Sequence, residues 1–218
     1  MIELPIIYEH PDFIIVDKPA GMPCQDDKSG HQSAIAALGA GYYLVHRLDR
    51  GVSGLMVAAK NREAAGMFAG MLHDRRLHKV YLAVVTGQPP ETAELTNYLA
   101  KNQRINISRV VNKNAPGAKE AKLHFVRLAC TESDYGHMAM LKIDLYTGRH
   151  HQIRTQLSHA GYPIWGDRKY NIMRKYWPGN IALRAAWLKF TYASEQFEFA
   201  ADTIDAHPFD LFRIPGLS

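Results

Sequence analysis

The chain of 218 residues lacks the local signatures of a bound cofactor. Gly39-Ala40-Gly41 is followed by Leu44 where a dinucleotide-binding turn needs a third glycine, and no Walker-type GKS or GKT occurs. Its 11 histidines include no HExxH, and adjacent His150 and His151 on a helix would splay apart, so no metal is expected. Gly51-Val52-Ser53-Gly54 does not fit a nucleophile elbow, which leaves Ser53 as a turn serine. Only two cysteines are present, Cys24 and Cys130, too far apart for a CxxC pair, and both read as reduced structural thiols. No apolar run approaches the roughly eighteen residues of a membrane span, and Met1 to Pro5 lack the basic and apolar regions of a signal peptide. The expectation is a cytoplasmic protein with no membrane partner and no cofactor. With no Ser/Gly/Pro-rich linker, residues 1–218 are expected to form a single domain, monomeric by default, with a C-terminal tail from about residue 203.

Hydrophobic residues make up 47% and charged residues 22%, enough apolar side chain for a substantial core, and the net charge of +5 leans towards a polyanionic partner. Ile6–Tyr8 and Phe13–Val16 read as two strands about a Pro11-Asp12 turn, Ser33–Leu38 as a short helix ended by Gly39, and Asn61–Arg76 as a helix with Asn61 as N-cap. Apolar Ala64, Ala65, Phe68, Met71 and Leu72 recur there at helical spacing and mark a core face. From His78 the period becomes that of strands: Val80–Val85, Leu95–Leu99, Ile105–Val111, Leu123–Leu128 and Met138–Leu145. His150–Ala160 reads as a helix with Gly161 as its cap, and Trp187–Tyr192 and Phe197–Ala200 as late strands. Helices are few and do not alternate with strands, so the class is α+β around a mixed, mainly antiparallel sheet.

One stretch concentrates charge between apolar runs. Tyr42–Val45 and Leu55–Ala59 read as buried strands, and Arg47, Asp49 and Arg50 lie between them. In extended backbone Arg47 and Asp49 point one way and Leu48 points into the core. That offers a carboxylate beside a guanidinium at a sheet edge, either as a site or as an ion pair closing a turn. Farther on, Lys101, Arg104, Arg109, Lys113, Lys119 and Lys122 stand against one acid, Glu120, in a hairpin suited to a phosphate backbone or to a solvated face. Arg168-Lys169-Tyr170 and Arg174-Lys175-Tyr176-Trp177 set aromatic rings beside charge, a pattern suited to base stacking or to an anchored loop.

The ordered motifs resemble the RluA-type family of RNA pseudouridine synthases. They are Asp17-Lys18-Pro19-Ala20-Gly21, His46-Arg47-Leu48-Asp49 with Ser53-Gly54, Lys79-Val80-Tyr81-Leu82-Ala83, Thr147-Gly148-Arg149 with His151-Gln152-Ile153-Arg154, and Gly161 through Tyr170. The resemblance implies a pseudouridine synthase-like fold and an isomerase that needs no cofactor and acts on a uridine in rRNA or tRNA. It implies Asp49 as the catalytic carboxylate, Arg154 as its ion-pair partner, Tyr81 packed on the target base and Arg47 filling the space that base leaves. Arg50, Lys79, Arg149 and His151, in or beside the same motifs, are expected to contact RNA, as are Lys101, Arg104 and Arg109 on the basic hairpin. Four positions depart from the family pattern: Val52 for threonine, His150 for serine or threonine, Gln156 for histidine and Arg184 for histidine. The motifs begin close to residue 1, so no S4 RNA-binding module is expected and RNA selection is expected to fall to the domain's own loops. The rival functions are a non-catalytic RNA-binding protein on this scaffold and a base-releasing glycosidase, with Asp17 or Asp167 as the second acid.

Overall fold

The strand periodicity is realised as eleven β-strands, with three α-helices, among the described residues. The computed structural model describes residues 4–27, 30–134, 136–171, 179–201 and 207–212, so the Arg174–Trp177 cluster and, of the expected tail from about 203, residues 203–206 and 213–218 lie outside it. In chain order the elements are β1 (Ile6–Glu9), β2 (Phe13–Lys18), α1 (Ala34–Leu38), β3 (Tyr43–Leu44), β4 (Ser53–Ala59), α2 (Arg62–His73), β5 (His78–Thr86), β6 (Thr92–Asn102), β7 (Ile107–Val111), β8 (Lys119–Ser133), β9 (Gly136–Leu145), α3 (Gln152–His159), β10 (Leu183–Tyr192) and β11 (Glu195–Ala200). The class is α+β with a mixed, mainly antiparallel sheet. Two compact units divide the chain, the first from Met1–Lys79 and Arg184–Ala201, the second from Val80–Leu183 and Asp202–Ser218.

In the first unit β1, β2, β4 and β10 lie side by side, with β11 on β10. β2 pairs antiparallel along the whole of β4, from Phe13 opposite Ala59 to Lys18 opposite Gly54. The other edge of β4 is shared: β10 runs parallel against Ser53 and Gly54, and β3 runs antiparallel against Ala58 and Ala59. One sheet face carries Phe13, Ile15, Leu55, Val57 and Phe190, buried with Ala64, Phe68 and Met71 of α2. Phe13 stands at the centre, edge-on to Phe68, Phe190 and Phe197 at 5.3 to 5.5 Å between ring centroids. Such pairs add about 0.5–1.5 kcal/mol each beyond area burial. The Asn61 side chain accepts from Ala64 N and starts α2, which ends at His73 because Arg75 turns left-handed.

In the second unit the order is β5, β9, β8, β6, β7, every pairing antiparallel. α3 lies on one face of this sheet: Gln156 Nε2 donates to the Asn97 side chain at 2.9 Å and to the carbonyls of Leu95 and Ala121. Register carries that face across the strands, from Ala93 to Phe125, Ile143 and Tyr81. Tyr81 and α3 therefore share one side.

The close approach of β4 to β10 requires glycine at position 54. With φ at +116°, an added Cβ would lie 2.2 Å from the Ala185 carbonyl oxygen. Gly54→Ala strains the backbone by about 1–3 kcal/mol and adds a clash with main chain. Its thermal midpoint is expected to fall by several degrees, at about 2–4 °C per kcal/mol for a chain of this size. An unchanged midpoint in a thermal melt would contradict this packing.

Candidate active site

In the first unit the chain leaves β3 at Leu44 and enters β4 at Ser53, and the charged stretch lies between. The gap between β3 and β10 on the edge of β4 exposes the amide of Val57, which His46 Nε2 accepts at 3.3 Å. Burial holds the His46 imidazole down at about 3, with the Lys79 charge acting the same way, so the ring is neutral. Its Nδ1 is buried without a partner. Leu48 is 6% exposed, Arg47 is exposed and Asp49 is half-buried, the alternation that extended backbone dictates.

Residues 18–24 grip this stretch on both sides of Asp49. Lys18 falls in line with Ile14 and Val16 on the face of β2 away from α2, and is fully buried. Its ammonium donates to the carbonyls of Met22 at 2.8 Å, Pro19 at 2.9 Å and Arg50 at 3.3 Å. The Arg50 carbonyl also accepts Gly21 N at 2.8 Å, and Arg50 Nε donates back to the Gly21 carbonyl. On the near side Cys24 Sγ accepts Leu48 N at 3.2 Å and donates to Leu48 O at 3.1 Å. Burial raises the Cys24 pKa and keeps it a thiol, able to do both. Asp49 O accepts Val52 N at 3.0 Å and closes the turn. Arg50 Nη2 lies 3.2 Å from His31 Nδ1 at the surface, and Lys79 is half-buried, its pKa lowered by burial.

In the second unit Arg154 projects from α3 and is gripped by Asp167, Nε to Oδ2 and Nη2 to Oδ1, both at 2.8 Å. Asp167 is wholly buried and its Oδ1 also accepts Lys169 N and Tyr170 N, so one carboxylate folds the 167–171 turn and orients the guanidinium. Arg154 Cζ lies 5.1 Å from the centroid of the Tyr170 ring. The Tyr170 hydroxyl accepts Ser108 N at 2.7 Å and lies 2.9 Å from His151 Nδ1. His150 and His151 do not splay: their rings stack at 3.7 Å, because His151 caps α3 in the left-handed region, at φ 53°, outside the helix proper. Burial, reinforced by the Arg154 charge, pushes His151 down to about 2, so it is neutral and 8% exposed. Tyr81 is buried on the face that carries α3. Asp49 thus belongs to the first unit, Tyr81 and Arg154 to the second.

The basic hairpin residues are exposed, but not on one surface. Lys101 pairs with Ser108 and shares the α3 face, whereas Arg109 pairs with Ala100 and faces the other way. Arg104 sits in the turn between β6 and β7, where Asn102 Oδ1 accepts its amide at 3.0 Å. Arg149 is exposed and ties its Nε to the Glu120 carbonyl at 2.7 Å.

Residues 12–159 match the family model described as RNA pseudouridylate synthase. The chain belongs to that family. It is 39% identical over 133 residues to an uncharacterized RNA pseudouridine synthase of Chloroflexus aurantiacus, covering 61% of this chain and 40% of the relative. It is 30% identical over 213 residues to the tRNA pseudouridine synthase C of Haemophilus ducreyi, covering 87% and 86%, and 32% identical over 180 residues to the ribosomal large subunit pseudouridine synthase D of Pseudomonas aeruginosa, covering 78% and 54%. Against several of these curated relatives the match spans only 40% to 58% of their length. The fold is similar to that of human RNA pseudouridylate synthase domain containing 1, with a TM-score of 0.80, 24% identity and coverage of 99% of this chain and 86% of that one.

Within this pseudouridylate synthase scaffold three of the four departures have side-chain partners and the fourth is buried. Arg184 makes a two-pronged pair with Asp17, at 2.5 and 3.2 Å. His150 Nδ1 lies 2.9 Å from Ser108 Oγ, Gln156 binds the sheet carbonyls, and Val52 is buried. Ser53 opens β4 and does not sit in a turn. Of the two thiols Cys24 is buried and structural, while Cys130 is exposed on β8.

The motifs singled out Asp49 and gave no role to Lys18 or Cys24, which hold its neighbours. Lys18 was detectable from the alternation of β2, which aims it where Ile14 and Val16 point; Cys24 left no such trace. The buried ammonium yields a pH test. Burial lowers Lys18 from 10.5 to about 8 against the opposing pull of Cys24, Asp49 and Asp17. Between those values the unfolded chain holds the extra proton, so stability rises with pH; below 8 both states hold it and the contribution is flat. The unfolding free energy of wild type minus that of Lys18→Met is expected to increase by on the order of 3 kcal/mol across this window. Urea unfolding at a series of pH values measures it, and parallel curves would contradict the buried charge.

Proposed function

We propose that the chain isomerises a uridine in a structured rRNA or tRNA to pseudouridine, with Asp49 as the acting carboxylate. The observation that carries this reading is the grip on both neighbours of Asp49, Leu48 by Cys24 and Arg50 by Lys18 and Gly21, while the Asp49 side chain itself is only half-buried. A main chain so constrained presents one carboxylate in a defined direction. Family membership supplies the reaction to which such a carboxylate belongs.

The isomerisation breaks the bond from uracil N1 to ribose C1′, turns the retained base and joins C5 to C1′. One proton leaves C5 and one is taken up at N1; no atom is added and no electron is lost. A carboxylate acts as nucleophile or base only while ionised, and a guanidinium favours that form. Arg154 is assigned this role, with Asp167 orienting it. A stacked target must first be extruded at a cost of a few kcal/mol, and the exposed Arg47 is assigned to fill the gap. Tyr81 is assigned to hold the loosened base. Asp17 and Asp167 are each gripped by an arginine, which supports isomerisation over base release with a second acid. No helix among the described residues is long and apolar enough to cross a membrane.

Asp49→Asn removes the charge and keeps the shape. It is expected to lower pseudouridine formation in unmodified cellular RNA at least about a thousandfold, with RNA affinity within about twofold of wild type. Loss of binding in the variant would make Asp49 structural. Tight RNA binding by the wild type without new pseudouridine would favour a non-catalytic RNA-binding protein.

A further inference from the structure

We infer that the RNA backbone runs along the α3 face of the second unit's sheet, its phosphates on Lys101, Lys119, Arg149 and Lys169, and not along the opposite face. The inference rests on the reading of RNA as the partner and gives that partner a surface.

Strand register sorts the basic residues into two sets. Lys119 pairs with Leu99 and Lys101 lies two residues beyond Leu99, so the two lysines are diagonal neighbours on one face, about 7–8 Å apart at the backbone. Lys101 also pairs with Ser108, whose side chain meets His150 and whose amide meets Tyr170. Those contacts draw in the two remaining cations, each next in sequence to an anchored residue. Lys169 precedes Tyr170 and its Nζ reaches the Asn106 carbonyl at 3.0 Å, at the hairpin turn. Arg149 precedes His150 and its Nε is fixed to the carbonyl of Glu120, beside Lys119. All four side chains are exposed.

The faces differ in what balances the charge. Along β6, β7 and β8 as far as Phe125 the α3 face carries no acidic side chain, and the nearest buried acid, Asp167, is taken by Arg154. The opposite face carries Arg109, Lys122 and Lys142, the last opposite Val126, but also Glu94, Glu120 and Asp144. There Lys122 pairs with Glu94 at 3.0 Å and His124 with Asp144 at 3.7 Å. Lys101 and Lys119, with no acidic side chain on the strand faces around them, repel one another in the folded chain, and a polyanion relieves that repulsion. A face already neutralised by its own carboxylates gains little. Tyr81 and Arg154 lie on the uncompensated side, so phosphates held there bring the strand to the side of the sheet from which both project.

The test removes two positive charges from each face in turn. Lys101→Gln/Lys119→Gln is compared with Lys122→Gln/Lys142→Gln, binding a fluorescently labelled stem-loop RNA with a uridine in its loop over a salt series. The slope of log affinity against log salt is expected to shrink by about 1.4–1.8 in the first double variant, from about 0.7–0.9 per phosphate contact, and to stay at the wild-type value in the second. Equal slopes in all three proteins, or equal losses in both variants, would overturn the face assignment. Pseudouridine is scored in the same samples: a face-dependent slope without pseudouridine supports this surface while removing the isomerase reading. Pseudouridine formed with face-independent slopes does the reverse.

Discussion

A lysine ammonium buried among backbone carbonyls is the constraint on which the first unit's site depends. An unpaired charge taken out of water costs several kcal/mol, and Lys18 offsets part of that cost by aiming its donors at Pro19, Met22 and Arg50. Those acceptors come from two stretches distant in sequence, so satisfying the charge closes the 18–24 loop onto the residue after Asp49. Cys24 completes the grip from the other side through the peptide groups of Leu48. Neither side chain reacts in this account. Both convert an irregular segment between two strands into a fixed support for one carboxylate.

The second unit solves a similar problem with opposite charge. Arg154 is long and flexible, and its guanidinium is held by partners within its own unit. Asp167 takes two of its nitrogens and Tyr170 covers its plane, while the same aspartate folds the turn that carries Tyr170. Part of the arginine's charge is thereby balanced within its own unit. The arrangement fixes the direction of the guanidinium at the expense of its field strength. His151, held neutral beneath Tyr170, belongs to this support and carries no charge for a phosphate.

Much of this was legible in the residues. Alternation about Leu48 correctly separated a buried side chain from exposed Arg47 and half-buried Asp49, and the strand runs from Val80 to Leu145 emerged as strands, each at its place and most of them longer. Asn61 capped its helix as its side chain predicts. What stayed hidden depends on tertiary register. The distance of Lys101 from Arg109 in sequence does not say that they point to opposite faces; only the pairing with Ser108 and Ala100 does. Helical geometry separates neighbouring side chains, so His150 and His151 were expected to part, but a left-handed residue at the helix start stacks them. Arg184 in place of histidine had no sequence-level explanation, because its partner Asp17 lies 167 residues away.

The central claim is that this scaffold presents a carboxylate to a uridine and returns the base to its own ribose. Tritium placed at C5 of the uracils in a substrate RNA follows that rearrangement atom by atom, since C5 gives up its hydrogen only when it becomes the carbon bonded to ribose. Tritium is expected in water with every base still attached to the strand. Labelled free uracil, or tritium that stays on the RNA while the protein is bound, would contradict it.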